Sequence, residues 1–201
     1  MQTLPGQVCH PAPVALLPDL IDAQRIELRR WRPTYAAALC DAVASSLPEL
    51  RLWMPWAQED PTVEGHVAVL EQGDIRFEIG DEWQFLMVEP ETGRVVGATG
   101  LHPRLGAGNI EIGYWVRTDA THQGFATMAA RALTTAAFDH LSDVDVVQIR
   151  MDTGNHRSAA VPPRLGFQLE GEVEQVIDAP GQSGRWLVWT MDRTGWNPLR
   201  S

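Results

Sequence analysis

Between Glu111 and Ala137 the chain reads EIGYWVRTDATHQGFATMAARALTTAA, which predicts a strand, a short polar turn and a helix opening at Gly124. The first turn of a helix leaves backbone N–H groups without partners, and the macrodipole adds partial positive charge there. Phosphate is the ligand such a terminus suits best. Gly124 has no Cβ, so a bulky anion can come close to the backbone. The segment therefore points to a phosphate-bearing cofactor, against the plainer reading of a helix that only packs. It is not a Walker loop, because no G-x-x-x-x-G-K-S/T run is present, and the glycine spacing does not match the dinucleotide pattern. His122 reads as a solvent-exposed turn residue ahead of a charged phosphate ligand.

The elements that must position this turn are legible as periodicities. A strand is expected at about 25–31, where Ile26 and Leu28 alternate with Glu27 and Arg29. Pro33 suits the first position of an Ala-rich helix over about 33–46. After the tryptophan-rich run from Leu50 to Ala57, a second helix is expected from Thr62 to about Gln72, with Val63, Val67 and Leu70 on one face. A meander follows, with strands at Trp83–Glu89, Arg94–His102 and Asn109–Arg117, the last two joined by a Gly-rich hairpin at 106–108. The long helix spans about 124–141, and Val144–Asp152 is rich in β-favouring residues. A short helix near 155–165 and strands near 167–177 and 185–193 complete the order. This is an α+β chain around one twisted mixed sheet.

Pro162 and Pro163 cannot donate backbone hydrogen bonds, so the helix near 155–165 should be broken or very short. Val161 should leave the α region, and the carbonyls of Ser158 and Ala159 should be freed. Residues 1–20 hold four of the fourteen prolines, Pro5, Pro11, Pro13 and Pro18. They are expected to form an irregular arm ahead of one domain over 21–201.

Composition narrows the function classes. Sixteen Lys and Arg against 26 Asp and Glu leave a formal charge of −10, which opposes binding to nucleic acid or an anionic membrane. Cys9 and Cys40 have no metal-like spacing and form no disulfide framework, so no metal is expected. They read as free thiols of a reducing compartment, with one disulfide as the lesser alternative. No targeting signal and no membrane-length apolar run is evident, so the cytoplasm is the default location.

Four motifs in order then resemble one family: Glu111-Ile-Gly-Tyr-Trp-Val116, His122-Gln-Gly-Phe-Ala-Thr127, Asn155-His-Arg-Ser158 and Leu165-Gly-Phe167. Together they look like the GNAT N-acetyltransferases, and the run Leu52-Trp-Met-Pro-Trp56 is similar to the bacterial RimJ/RimL-type ribosomal-protein alanine acetyltransferase branch. The resemblance covers about residues 20–193. It implies a GNAT fold of about seven strands and about four helices, whose central parallel strands, 109–117 and 144–152, splay beside a bulge. It implies acetyl-coenzyme A, or another short acyl-CoA, as cofactor. Trp115, Val116 and Arg117 would pair with the pantetheine arm through their backbones. The diphosphate would lie on the backbone amides of Gln123, Gly124, Phe125, Ala126 and Thr127, with Asn155 and Ser158 also touching the cofactor. In the family pattern Q/R-x-x-G-x-G/A, Thr121 replaces a long donor, so binding should lean on backbone amides, with His122 or Arg117 as helpers.

The reaction implied is direct attack of a primary amine on the thioester through a tetrahedral intermediate. It needs a base, oxyanion donors and a proton for the leaving thiolate. The oxyanion donor would be a backbone N–H near Val116. Ser158 is the candidate acid by carry-over, set against a capping role, and Asn155 occupies the N-cap position. Glu111 is the leading base, because Asn109, Glu111, Gly113 and Trp115 share one strand face; the plainer alternative is a structural carboxylate paired with an arginine. His102 is the second base candidate. Trp53, Trp56, His102 and Tyr114 are expected to line the acceptor pocket, while most of the eight tryptophans should be core. The acceptor would be a protein N-terminus or a small molecule, with a homodimer as one assembly the family allows. A non-catalytic acyl-CoA sensor is the alternative function.

Overall fold

Strict alternation in Ile26-Glu-Leu-Arg-Arg30 puts Ile26, Leu28 and Arg30 on one face, and the computed structural model, which describes residues 17–197 and Leu199, buries all three. The strands are β1 (Leu20–Ala23), β2 (Ile26–Arg30), β3 (Trp83–Val88), β4 (Val95–His102), β5 (Asn109–Val116), β6 (Val146–Asp152), β7 (Gln168–Glu174) and β8 (Arg185–Asp192). They form one sheet in the order β1-β2-β3-β4-β5-β6-β8-β7. Every neighbouring pair is antiparallel except β5 and β6.

The strand count exceeds the expected seven because of β1. The arm expected over 1–20 lies outside the described residues up to residue 16. Beyond it, Leu17 is buried, Asp19 pairs with Arg30 and Arg32, and Leu20 opens β1. Cys9 also lies outside the described residues, while Cys40 is a free thiol.

Helices cover both faces. A single 3-10 turn at Pro33–Tyr35 leads into α1 (Ala36–Ala44), followed by α2 (Leu47–Trp53), a second 3-10 turn at Pro55–Ala57 and α3 (Val63–Glu78). Thr62 starts α3 by accepting the Gly65 N–H at 3.1 Å. Leu39, Val43, Leu47, Leu50 and Leu70 of these helices pack on Leu86, Val88 and Ala98 of the sheet. On the other face α4 (Phe125–His140) buries Phe125, Ala129, Ala130, Leu133 and Ala137 against Ile110, Ile112, Val147 and Ile149. Its alanines let the helix lie close to the strands that carry the cofactor motifs.

The proline pair breaks the next helix into two four-residue turns, α5 (His156–Ala159) and α6 (Val161–Arg164). Val161, expected outside the α region, is instead the first residue of α6, where the following prolines occupy positions whose N–H groups need no intrahelical acceptor. The carbonyl of Ser158 does lose its helical donor, and the Tyr114 hydroxyl takes it at 3.1 Å.

Gly73 sits inside α3 for a steric reason. A Cβ there would come within 2.5 Å of Trp31 Cε3, so the glycine seats the indole that follows β2. Helix propensity alone would make Gly73→Ala stabilising by about 1 kcal/mol. The clash predicts the opposite sign, a loss of roughly 1–3 kcal/mol in urea denaturation. A gain in stability would show that Trp31 yields freely.

Candidate active site

The parallel pairing of β5 with β6 runs from Asn109↔Val146 to Ile112↔Ile149 and then stops. Beyond it β5 stays paired with β4 as far as Val116, and β6 with β8 as far as Asp152. The two strands thus form a fork whose arms are each held from outside. A register shift places Val96 as an extra residue in β4, between the pairs Met87↔Gly97 and Val88↔Val95. The Arg117 N–H bonds to the Val96 carbonyl at 2.8 Å.

That bond fixes which backbone groups of β5 face the fork. Alternation in an antiparallel ladder turns the backbones of Glu111, Gly113 and Trp115 towards β4, and those of Ile112, Tyr114 and Val116 towards β6. Tyr114 and Val116 lie past the last β5–β6 pair. The groups free to accept an added chain are therefore those of Tyr114 and Val116, a correction to the trio Trp115, Val116 and Arg117. Arg117 is occupied in its side chain too, bonding Asp41 at 2.5 Å and Asp119 at 2.9 Å.

At the start of α4, no backbone N–H from His122 to Thr127 has a partner among the described residues, and the first helical bond is Met128 N–H to Gly124 O at 3.0 Å. His122 and Gly124 take left-handed φ values of 62° and 83°, which curl the preceding chain so that successive amides point outwards. A Cβ on Gly124 would meet nothing closer than Met128 Cε at 3.7 Å, so its glycine serves the dihedral rather than the space. Thr121 turns its hydroxyl back to Thr118 O at 2.8 Å. His122 is exposed. The cation at this turn is Arg25, from the β1–β2 connection: it bonds the Gln123 side chain at 3.0 Å and lies 5.2 Å over the Phe125 ring. Sequence reading missed Arg25, since nothing local links it to a turn almost a hundred residues away.

Beside the fork, Asn155 caps α5 by accepting the Ser158 N–H at 3.2 Å. The Ser158 hydroxyl donates to Tyr114 Oη at 3.2 Å, closing a ring with the Tyr114–Ser158 carbonyl bond. Burial raises the Tyr114 hydroxyl far above its ordinary range, so it stays protonated.

A cavity of about 840 Å³ opens on the face opposite α4. Trp53, Trp56, His102, Tyr114 and Trp115 all line it, together with Trp31 and Trp186. Trp56 packs on Trp115 with centroids 6.2 Å apart. The β7–β8 loop closes one side, because the Gly181 N–H bonds Leu52 O at 2.8 Å and Gln182 bonds Trp53 O at 3.1 Å.

The base candidates separate here. Glu111 is buried, and Arg104 holds both its carboxylate oxygens, at 3.0 and 2.6 Å. That geometry turns against Glu111 as a direct base, since taking up a proton would cost it the ion pair. The plainer sequence reading, a carboxylate paired with an arginine, describes what is found. His102 instead bonds Glu82 through Nδ1, leaving Nε2 beside Gly113, where a Cβ would lie at 3.0 Å. Glu82 was not among the expected residues; it sits in the loop before β3, far in sequence from His102.

Comparison with known proteins agrees with this geometry. The family model for the acetyltransferase (GNAT) domain matches residues 25–168. The chain is 26% identical over 175 residues to "Putative ribosomal N-acetyltransferase YdaF" of Bacillus subtilis, covering 86% of this chain and 94% of that one. It is 32% identical over 95 residues to an L-methionine sulfoximine/L-methionine sulfone acetyltransferase of Pseudomonas aeruginosa, covering 47% and 52% respectively. The solved structure of Mycobacterium smegmatis RimJ in complex with CoA-disulfide superposes with a TM-score of 0.76 at 21% identity, covering 88% of this chain and 86% of that one. With a family match over most of its length, and a forked sheet beside a row of open amides, the chain belongs to the GNAT acetyltransferase family.

Proposed function

We propose that this N-acyltransferase takes its primary amine acceptor, a protein N-terminus or a small molecule, from the tryptophan-lined cavity and uses His102 as base. One observation carries the reading: His102 and Tyr114, the latter beside the fork, line the same cavity. Acetyl-coenzyme A, the cofactor of this family, supplies the acyl group as an activated thioester when bound.

The chain's own groups fit that cofactor. The amides from His122 to Thr127 suit a diphosphate, and Tyr114 and Val116 offer strand-like pairing to an extended arm. The Val116 N–H is the candidate oxyanion donor. Donation by His102 Nδ1 to Glu82 leaves the Nε2 lone pair to accept a proton from the entering ammonium. Ser158 holds a hydroxyl proton at Oγ beside the fork, and Tyr114 keeps that hydroxyl in place. Glu82 acts through His102 as a positioning residue. The same reading places the protein in a bacterial cytoplasm, as monomer or homodimer. Its support is the free thiol of Cys40, which suits a reducing compartment.

Incubation with acetyl-CoA and a panel of primary amines should release free thiol above background. His102→Gln should lower kcat roughly a hundredfold or more while coenzyme A affinity holds. Strong thermal stabilisation by coenzyme A with no turnover on any amine would instead indicate a sensor. An active His102→Gln would return the base to another group.

The dyad also has a pH signature. The hydrogen bond from His102, opposed by burial, lowers the Glu82 carboxyl from 4.5 to about 2. A depressed carboxyl contributes stability that is complete above 4.5 and is lost as pH falls towards about 2. Glu82→Gln should therefore melt lower than the parent at neutral pH, and the gap should narrow across that acidic window. Parallel curves would contradict the pairing.

A further inference from the structure

Two arginines line the acceptor cavity, and they are in different states. Arg104 is spent on Glu111. The Arg150 side chain has neither a hydrogen bond nor an ion pair among the described residues, and its Nε is buried without a partner. It is the first residue of β6 beyond the last β5–β6 pair, so its side chain leaves the sheet at the fork. Its guanidinium carbon lies 6.0 Å over the ring of Trp186, which shares its face of the sheet. The indole face holds the cation in place and leaves its outer Nη groups to bind something else.

The indole N–H groups of Trp31 and Trp186, both residues of the cavity wall, are also buried without acceptors. Those indole N–H groups and the Arg150 Nε are closed to the cavity, so what a ligand can reach is the outer, Nη end of the Arg150 guanidinium, a cationic donor without an acceptor of its own. The remaining charges limit which one. Glu59, Asp60 and Asp178 line the same cavity, and Asp60 is tied to Arg51 at 2.6 Å. A doubly charged phosphate would meet these carboxylates; a single carboxylate matches one planar guanidinium edge. An ammonium group on the same molecule would find the acidic wall favourable.

We propose that Arg150 binds a carboxylate of the acceptor, so that the amine acetylated in this cavity belongs to a small zwitterionic amino acid. The inference rests on the reading that the cavity receives the acceptor. A cavity of about 840 Å³ is ample for such a molecule with an apolar side chain against the tryptophans. The end of a protein chain, which lacks the neighbouring carboxylate, would leave Arg150 unpaired.

The test compares three acceptors with one side chain: leucine, leucinamide and a short C-terminally amidated peptide beginning with leucine, each with saturating acetyl-CoA. The free acid should have a kcat/KM roughly ten- to a hundredfold above the amide. Arg150→Met should collapse that ratio by raising KM for the acid, and Arg150→Lys should restore part of it. Equal use of acid and amide by the parent, a preference for the peptide, or an equal loss on all three in Arg150→Met would overturn the proposal. If Arg150→Met does not fold, the parent's ratio and Arg150→Lys decide. A binding arm separates failures: calorimetry of N-acetylleucine against N-acetylleucinamide on the coenzyme A-loaded protein reads the subsite without turnover. Acid-selective binding without thiol release from any amine would keep the subsite and defeat the transferase reading. Equal binding would defeat the subsite.

Discussion

Everything at this site depends on two parallel strands that stop pairing before they end. Past Ile112↔Ile149 the facing backbones of β5 and β6 have no sheet partner, and each buried group left so carries a cost of roughly 1–3 kcal/mol. The fork survives because neither arm needs the other: β4 holds β5 and β8 holds β6 to their ends. Tyr114 and Ser158 bridge β5 to the short α5 turn by way of a carbonyl that Pro162 has released. The proline that looks like a helix defect thus supplies the acceptor that anchors the tyrosine.

The same economy governs the electrostatics. The chain is strongly acidic, yet an anionic cofactor must bind it. Two arginines near the site are already neutralised, Arg117 by Asp41 and Asp119 and Arg104 by Glu111. The local positive potential therefore comes from backbone: the run of open amides at the start of α4, aimed by the left-handed residues His122 and Gly124. Side-chain charge is spent elsewhere, which is why the exceptions, Arg25 at the turn and Arg150 in the cavity, carry information.

Local pattern made much of this legible. The alternation of Asn109, Glu111, Gly113 and Trp115, the helix opening at Gly124, the Asn155 cap and the broken segment before Pro162 were all readable, because each depends on residues a few positions apart. What failed depends on distant partners. β1, the four residues Leu20–Ala23, begins where a proline-rich stretch ends, and only pairing with β2 makes it a strand. The pairing of Glu111 with Arg104 and of His102 with Glu82 was hidden, because neither Arg104 nor Glu82 carries a motif. Tyr114 and Val116 face the fork in place of the expected trio because the Val96 bulge, set by β3 and β4, decides which amides point that way.

The measurement that bears most directly on the central claim is amide hydrogen exchange with and without coenzyme A. Protection should appear at two separate places, the amides from His122 to Thr127 and those of Tyr114 and Val116, while β4 and β8 change little. Protection elsewhere with both segments unaltered would contradict a cofactor held by the open turn and the parted strands.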